Sequence, residues 1–178
     1  MTQTVSTPDF VQAMGQHVSS VCVITTCWQD ERFGLTATAV SSVCASPPRL
    51  LVCVNKSGFA YEKIVAEGHF GLNVLSDSQE KVGKSFAGML GKDFDRFSVG
   101  QWRVGLQGSP LLQDAAAAFE CVIVEKLEQF SHTILIGEVV EATAGIGRDA
   151  LVYGARRFRS LRKIMTSSNA DEMESLHF

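Results

Sequence analysis

Four hydroxyl-bearing residues, Thr36, Thr38, Ser41 and Ser42, fall within one apolar stretch, GLTATAVSSVCA from Gly34 to Ala45. A hydroxyl buried without a partner costs ~1–3 kcal/mol, so several on a core strand ask for a ligand rich in hydrogen-bond acceptors. A second polar group follows in VNKSGFA, where Asn55, Lys56, Ser57 and Gly58 stand at a strand-to-helix junction. The backbone N–H groups of a first helical turn, with a lysine charge beside them, form a natural anion site. Taken alone, that segment reads more simply as an ordinary capped helix start. The two segments together favour a polar, anionic ligand.

Other chemistries find no support. GIGRDA, Gly145 to Ala150, satisfies G-x-G-x-x-A after a strand, but the fingerprint needs a following helix, a second strand and an acid ~20 residues on, whereas here the chain is ending, so it reads as a turn. Gly83-Lys84-Ser85 lacks the glycine loop of a phosphate-binding P-loop, and there is no G-x-S-x-G nucleophile elbow. The five cysteines, Cys22, Cys27, Cys44, Cys53 and Cys121, have no C-x-x-C spacing, and three lie in apolar runs where cysteine is a small core hydrophobe. No disulfide framework is expected. His17, His69, His132 and His177 lack the spacings of a zinc site, so no metal is expected either.

The elements that must position these residues are mostly strands. Pro8 to Gln16 reads as a short helix, and Ser19 to Trp28, Gly34 to Ala45, Arg49 to Asn55 and His69 to Leu75 read as strands. Phe59 to Gly68 has helical spacing and ends on a glycine cap. Ser76 with Gln79 forms a capping-box pattern, and the apolar stripe Val82, Phe86, Met89, Leu90 predicts a helix behind it. GKDFDRFSVG reads as a loop, WRVGLQ as a short strand and GSPLL as a turn. Two long strands, Ala116 to Phe130 and His132 to Ala144, follow with a tight turn near Ser131. About seven strands and three short helices without regular alternation exclude a doubly wound parallel sheet. A closed or nearly closed antiparallel barrel with peripheral helices is the better match.

Length and charge fit that picture. A chain of 178 residues predicts one domain, and a net charge of −3 without a basic face excludes a nucleic-acid binder. No run of ~18 apolar residues or charged-then-apolar start is present, so neither a membrane span nor a secretory signal is expected, and a cytoplasmic location follows. The domain is expected over 1–166, with a polar, flexible tail over 167–178.

In the order and spacing of several segments the sequence resembles the short-chain flavin reductases, the small partners of two-component flavin-dependent monooxygenases. The resemblance runs from about Phe10 to Leu161 and rests on GLTATAVSSVCASPPRLLVCVNKSGFAYEKI, HFGLNVLSDSQ with a later SFAG and DRF, GSPLL before a strand with FEC, SHTILIGEVVEA and LVYGARRF. It implies a mainly β, split β-barrel fold with peripheral helices, a homodimer, and an NAD(P)H:flavin oxidoreductase. Such an enzyme uses NADH to reduce FAD, with FMN as the other flavin, and supplies reduced flavin to a separate monooxygenase of aromatic-compound degradation.

Carried over by position, the resemblance implies that Thr36, Ala37 and Thr38, entered through Gly34 and Leu35, border the isoalloxazine. Ser41 and Ser42 would face the ribityl-phosphate region, and Val54, Asn55, Lys56 and Ser57 the phosphate or ring oxygens. Ser85 and Phe86 would close the adenine side; His132, the catalytic candidate, and Tyr153 would line the nicotinamide, with Arg156 nearby. Two positions depart from the family pattern. Phe130-Ser131 stands where Gly-Asp commonly precedes the histidine, and Phe158 stands where a tyrosine is usual. The rival readings are a non-catalytic flavin- or haem-binding module on the same barrel and a flavin-dependent oxidase of a bound organic substrate.

Overall fold

The computed structural model describes residues 4–161; the tail expected from Ser167 lies outside them. The elements in chain order are α1 (Thr7–Met14), β1 (Ser19–Ser20), β2 (Cys22–Trp28), β3 (Glu31–Ala37), β4 (Val40–Ala45), β5 (Pro48–Asn55), α2 (Tyr61–Glu67), β6 (His69–Val74), α3 (Glu80–Phe86), β7 (Trp102–Val104), β8 (Pro110–Leu112), β9 (Ala117–Gln129), β10 (His132–Ala144), β11 (Leu151–Gly154) and β12 (Arg157–Ser160).

Seven strands form one sheet in the order β3-β2-β6-β9-β10-β5-β4, with every pairing antiparallel. β3 and β4 are consecutive in the chain yet occupy opposite edges, joined by just Thr38 and Ala39. Three residue steps reach at most about 11 Å, so the sheet must curl until its two edges nearly meet. The edges do not pair with each other. The barrel is therefore split, mainly β with peripheral helices, and its open seam lies at Thr38-Ala39.

β2 is buried on both faces, which explains its unbroken apolar run. Cys22 and Ile24 point to a cluster inside the curled sheet with Val52, Phe70, Leu72 and Leu135. Val21 and Val23 belong instead to a second cluster with Leu75, Val82, Phe86 and Leu151. This cluster lies where α3 and the small sheet β1-β11-β12 cover the barrel. Gly137 lets β10 pack close, since a Cβ there would stand 2.7 Å from the Cys121 Cβ and 2.8 Å from Phe70.

The structure corrects several sequence expectations. The stretch Gly34 to Ala45 is two strands, and β4 is an exposed edge rather than core; the Ser41 hydroxyl donates to the Ser42 carbonyl at 3.2 Å, Ser42 faces solvent, and no burial penalty calls for a ligand there. GSPLL is not merely a turn: Pro110–Leu112 pairs with β7 and is fully buried. The third helix stops at Phe86, before Met89 and Leu90. Gly88 takes a left-handed φ of 75°, and the N–H of Met89 reaches back to the Lys84 carbonyl, a Schellman-type ending that an apolar stripe does not reveal. The capping box of Ser76 and Gln79 forms as expected. Cys22 and Cys121 are buried, which pushes both thiols up to about 12.

Candidate functional site

A cavity of about 360 Å³ opens at the seam, within the size range of small-molecule sites. Five stretches of chain converge on it: the end of β3 with the Thr38-Ala39 link, the end of β5, the loop carrying Gly58, the end of α3, and His132 at the start of β10. The register makes this convergence compulsory, because His132 pairs with Asn55 across β5–β10 and with Gln129 across the hairpin.

Of the residues expected from the sequence, Leu35, Thr36, Ala37, Thr38, Asn55, Phe86 and His132 line the cavity together. Gly34 backs it: a Cβ there would meet the Phe86 ring at 2.7 Å. Lys56 and Ser57 stand next to Asn55, while Ser41 and Ser42 lie on the exposed β4. Val54 points the other way into the core at 0% exposure, as the period of two between Cys53 and Asn55 requires. Ser85 is buried and donates to the Val82 carbonyl at 2.9 Å. Tyr153 sits in the small sheet, its ring packed on Phe158 at 5.1 Å, and Arg156 lies in the β11–β12 turn. Neither lines the cavity. Gly58, expected beside Asn55 at the strand-to-helix junction, also lines it, whereas the sequence reading missed Ala39, Cys53 and Ala87. Cys53 was accessible to it, being two residues before Asn55 on the same face.

Hydrogen bonding separates the polar groups that the fold uses from those it leaves over. Thr36 is used: its hydroxyl donates to the Gly83 carbonyl at 2.7 Å, tying β3 to α3. The Asn55 Oδ1 accepts from the Ser57 N–H and hydroxyl at 3.0 and 2.9 Å, an Asx turn rather than a helix cap, and α2 starts only at Tyr61. Lys56 Nζ pairs with Glu128 at 2.6 Å, which holds the Glu128 carboxyl below its ordinary value, by hydrogen bond first and charge second. At His132, Nδ1 lies 2.9 Å from the Ser131 hydroxyl, so a serine orients the ring where the family pattern has an acid.

What remains free at the cavity is the Thr38 hydroxyl, the Asn55 Nδ2 amine and the His132 Nε2. Two donors and a ring nitrogen around a cavity also lined by apolar Leu35, Ala37 and Phe86 suit a ring system edged with acceptors. A flavin ring has that edge, so the residues present fit the group.

The family model described as flavin reductase like domain matches residues 14–162. The FMN reductase (NADH) RutF of Ancylobacter novellus is 38% identical over 157 residues, covering 88% of this chain and 86% of its own. Among solved structures, the NADH:FAD oxidoreductase SgcE6 of Streptomyces globisporus C-1027 superposes with a TM-score of 0.79 at 34% identity, over 89% of this chain and 97% of its own. BorF, the flavin reductase component of a bacterial two-component tryptophan halogenase, gives a TM-score of 0.79 at 29% identity, over 87% of this chain and 98% of its own.

Proposed function

Because the chain belongs to the flavin reductase like family, we propose that it reduces a flavin, FAD or FMN, with NADH and releases the product to a separate oxygenase. The relatives support both halves: RutF is an NADH-dependent FMN reductase, and BorF is one component of a two-component system. The seam cavity, with the free Thr38, Asn55 and His132 groups, is the observation that carries this reading to particular residues. Flavin and nicotinamide, when bound, supply the redox chemistry, a hydride passing from C4 of one to N5 of the other. The chain needs no nucleophile, and its work is orientation.

In this reading the Thr38 hydroxyl and the Asn55 amine donate to the flavin's oxygens, and Phe86 packs against its apolar side. His132, held through Nδ1 by Ser131, presents Nε2 to the nicotinamide carboxamide. Lys56 and Ser57 stand on the phosphate side with Ser41 and Ser42. The oxygenase acts on an aromatic compound, a choice supported by BorF's pairing with a tryptophan halogenase.

The proposal includes a homodimer. α1 buries none of its residues, and Phe10, Val11 and Met14 are 54%, 46% and 50% exposed; a second copy would cover this face and the edge strand β4. A cytoplasmic place of action belongs to the same reading and suits five unpaired cysteines. No helix among the described residues is long and apolar enough to cross a membrane. The test is anaerobic NADH oxidation with FMN or FAD in excess over protein. Turnover of many flavins per chain is expected, and binding of flavin without NADH consumption would replace the enzyme with a carrier.

A further inference from the structure

The turn of the β9–β10 hairpin carries a residue that folding does not explain. Gln129 pairs with His132, so Phe130 and Ser131 are the two central residues of the turn. Phe130 takes a φ of 40°, in the left-handed region that suits glycine and is costly for an aromatic residue. The flavin reductase pattern has glycine at this place. The Phe130 side chain is also 99% exposed, more than any other large apolar side chain among the described residues, and it packs on no other ring there. Strain and apolar exposure at one position, with no packing in return, point to function rather than folding.

The turn is tied down at three points. The Lys56 N–H donates to the Ser131 carbonyl at 2.9 Å, Lys56 Nζ pairs with Glu128 at 2.6 Å, and the Ser131 hydroxyl meets His132 Nδ1 at 2.9 Å. These contacts hold Phe130 beside the end of β5, and so beside the seam cavity that Asn55 and His132 line. Phe130 and His132 are two residue steps apart, at most about 7 Å between Cα atoms, so the phenyl ring can reach a molecule that touches His132. Apart from His132, the only aromatic ring in the cavity wall among the described residues is that of Phe86, which the flavin takes in the reading above. A nicotinamide stacked on the flavin would keep its other face open to water. An aromatic side chain on that face would hold the ring in place and shield it.

We propose that Phe130 is a substrate-binding residue of the reduction, its ring packing on the face of the nicotinamide turned away from the flavin and so tightening NADH rather than flavin. The inference rests on the function proposed above, since that function brings a nicotinamide to His132. It gives the exposed ring and the strained turn one cause, because a side chain that must meet a substrate stays unburied in the free protein.

The experiment is anaerobic stopped-flow reduction of FMN bound to the full chain, at varied NADH, for wild type, Phe130→Gly, Phe130→Leu and Phe130→Trp. Glycine suits the turn, so Phe130→Gly should melt within a few degrees of wild type, and a kinetic loss in it is not unfolding. The half-saturating NADH concentration is expected to rise about tenfold in Phe130→Gly and about threefold in Phe130→Leu, which keeps apolar bulk without the ring, and to stay near wild type in Phe130→Trp. The limiting reduction rate should fall by less, and the FMN dissociation constant should stay within about twofold. Unchanged NADH saturation in Phe130→Gly would overturn the proposal, as would a weakening of FMN instead of NADH. Sedimentation of the same variant supplies the other arm: if Phe130→Gly changes the number of chains per particle, the ring belongs to a contact between copies and the proposal fails. Failure of the reductase reading looks different, because wild type itself would then leave NADH unoxidised in the presence of FMN.

Discussion

Two polar clusters on the same curled sheet differ in one respect. Around Glu120, near the start of β9, every group is matched inside the protein. The Glu120 oxygens accept the Gln107 and Ser109 N–H groups at 2.7 Å each. Asn73 donates to the Val23 carbonyl and accepts the Leu112 N–H at 2.6 Å, and Thr25 donates to the Pro110 carbonyl. Glu120, Asn73, Thr25 and Ser109 are all buried, and no buried side-chain polar atom among the described residues lacks a partner. Around the seam, Thr38, Asn55 and His132 are exposed and keep one polar group free each. In the interior a missing partner costs the full desolvation of the group, so the fold fills every place. At the seam water fills them, and a ligand needs only to displace water. The first cluster holds the β7–β8 hairpin in position, whereas the second is available for binding.

Glu120→Ala tests the interior half most severely. It removes the partner of the buried Ser109 N–H and of the partly buried Gln107 N–H and leaves a void, costing ~3–5 kcal/mol, which lowers the melting temperature by roughly 6–20 °C for a chain of this size. FMN affinity of the folded protein should stay within twofold. A melting temperature within a few degrees of wild type would mean that the 105–109 loop is held by something other than this carboxyl group.

Asn55→Ala reverses the pattern. The residue is exposed, so thermal stability should change little, while loss of the free amine and of the Asx turn should raise the FMN dissociation constant about tenfold. Equal FMN binding in the variant would remove Asn55 from the site. His132→Ala should act on the other substrate, lowering kcat/KM for NADH about fivefold and leaving flavin binding nearly intact, a split that stopped-flow reduction of prebound flavin resolves. A loss of stability without an NADH defect would make His132 a plain turn residue of the hairpin.

Much of this was legible in the sequence because strand periodicity and turn residues are local. β5, β10, the capping box at Ser76 and the long hairpin follow from apolar alternation and its punctuation, and the order of motifs identified the fold. The misreadings arose where a residue's fate depends on distant chain. Thr36 and Thr38 look alike in sequence, yet one is consumed by Gly83 on α3 and the other is not. Ser41 and Ser42 looked buried because β4 is apolar, but its place at the sheet edge leaves it exposed. Glu120 alternates with the apolar Phe119 and Cys121 along β9, the pattern of a half-buried strand, and is instead fully buried. Its partners are the backbone of a loop eleven and more residues away, which no side-chain pattern records.

Lys56 sharpens the comparison because it belongs to neither cluster. Its ammonium is free in sequence but paired in structure, donating to Glu128 at 2.6 Å. A flavin phosphate could recruit it only by breaking that pair, so the gain is a difference between two charge-assisted contacts. Lys56→Ala should therefore raise the FMN dissociation constant no more than about threefold, the smallest of these effects. The Glu128 carboxyl reports on the exchange. Lys56 holds it below the ordinary 4.5, so the pair's contribution to stability is present above the unfolded value and is lost as pH falls through the lower folded one. If bound FMN draws Lys56 to its phosphate, Glu128 loses its partner and its titration moves up toward the ordinary value. That is the expected outcome of following the Glu128 side-chain carboxyl carbon by NMR with and without FMN. A Glu128 titration that stays low with FMN bound would keep Lys56 in its ion pair and remove it from the flavin site.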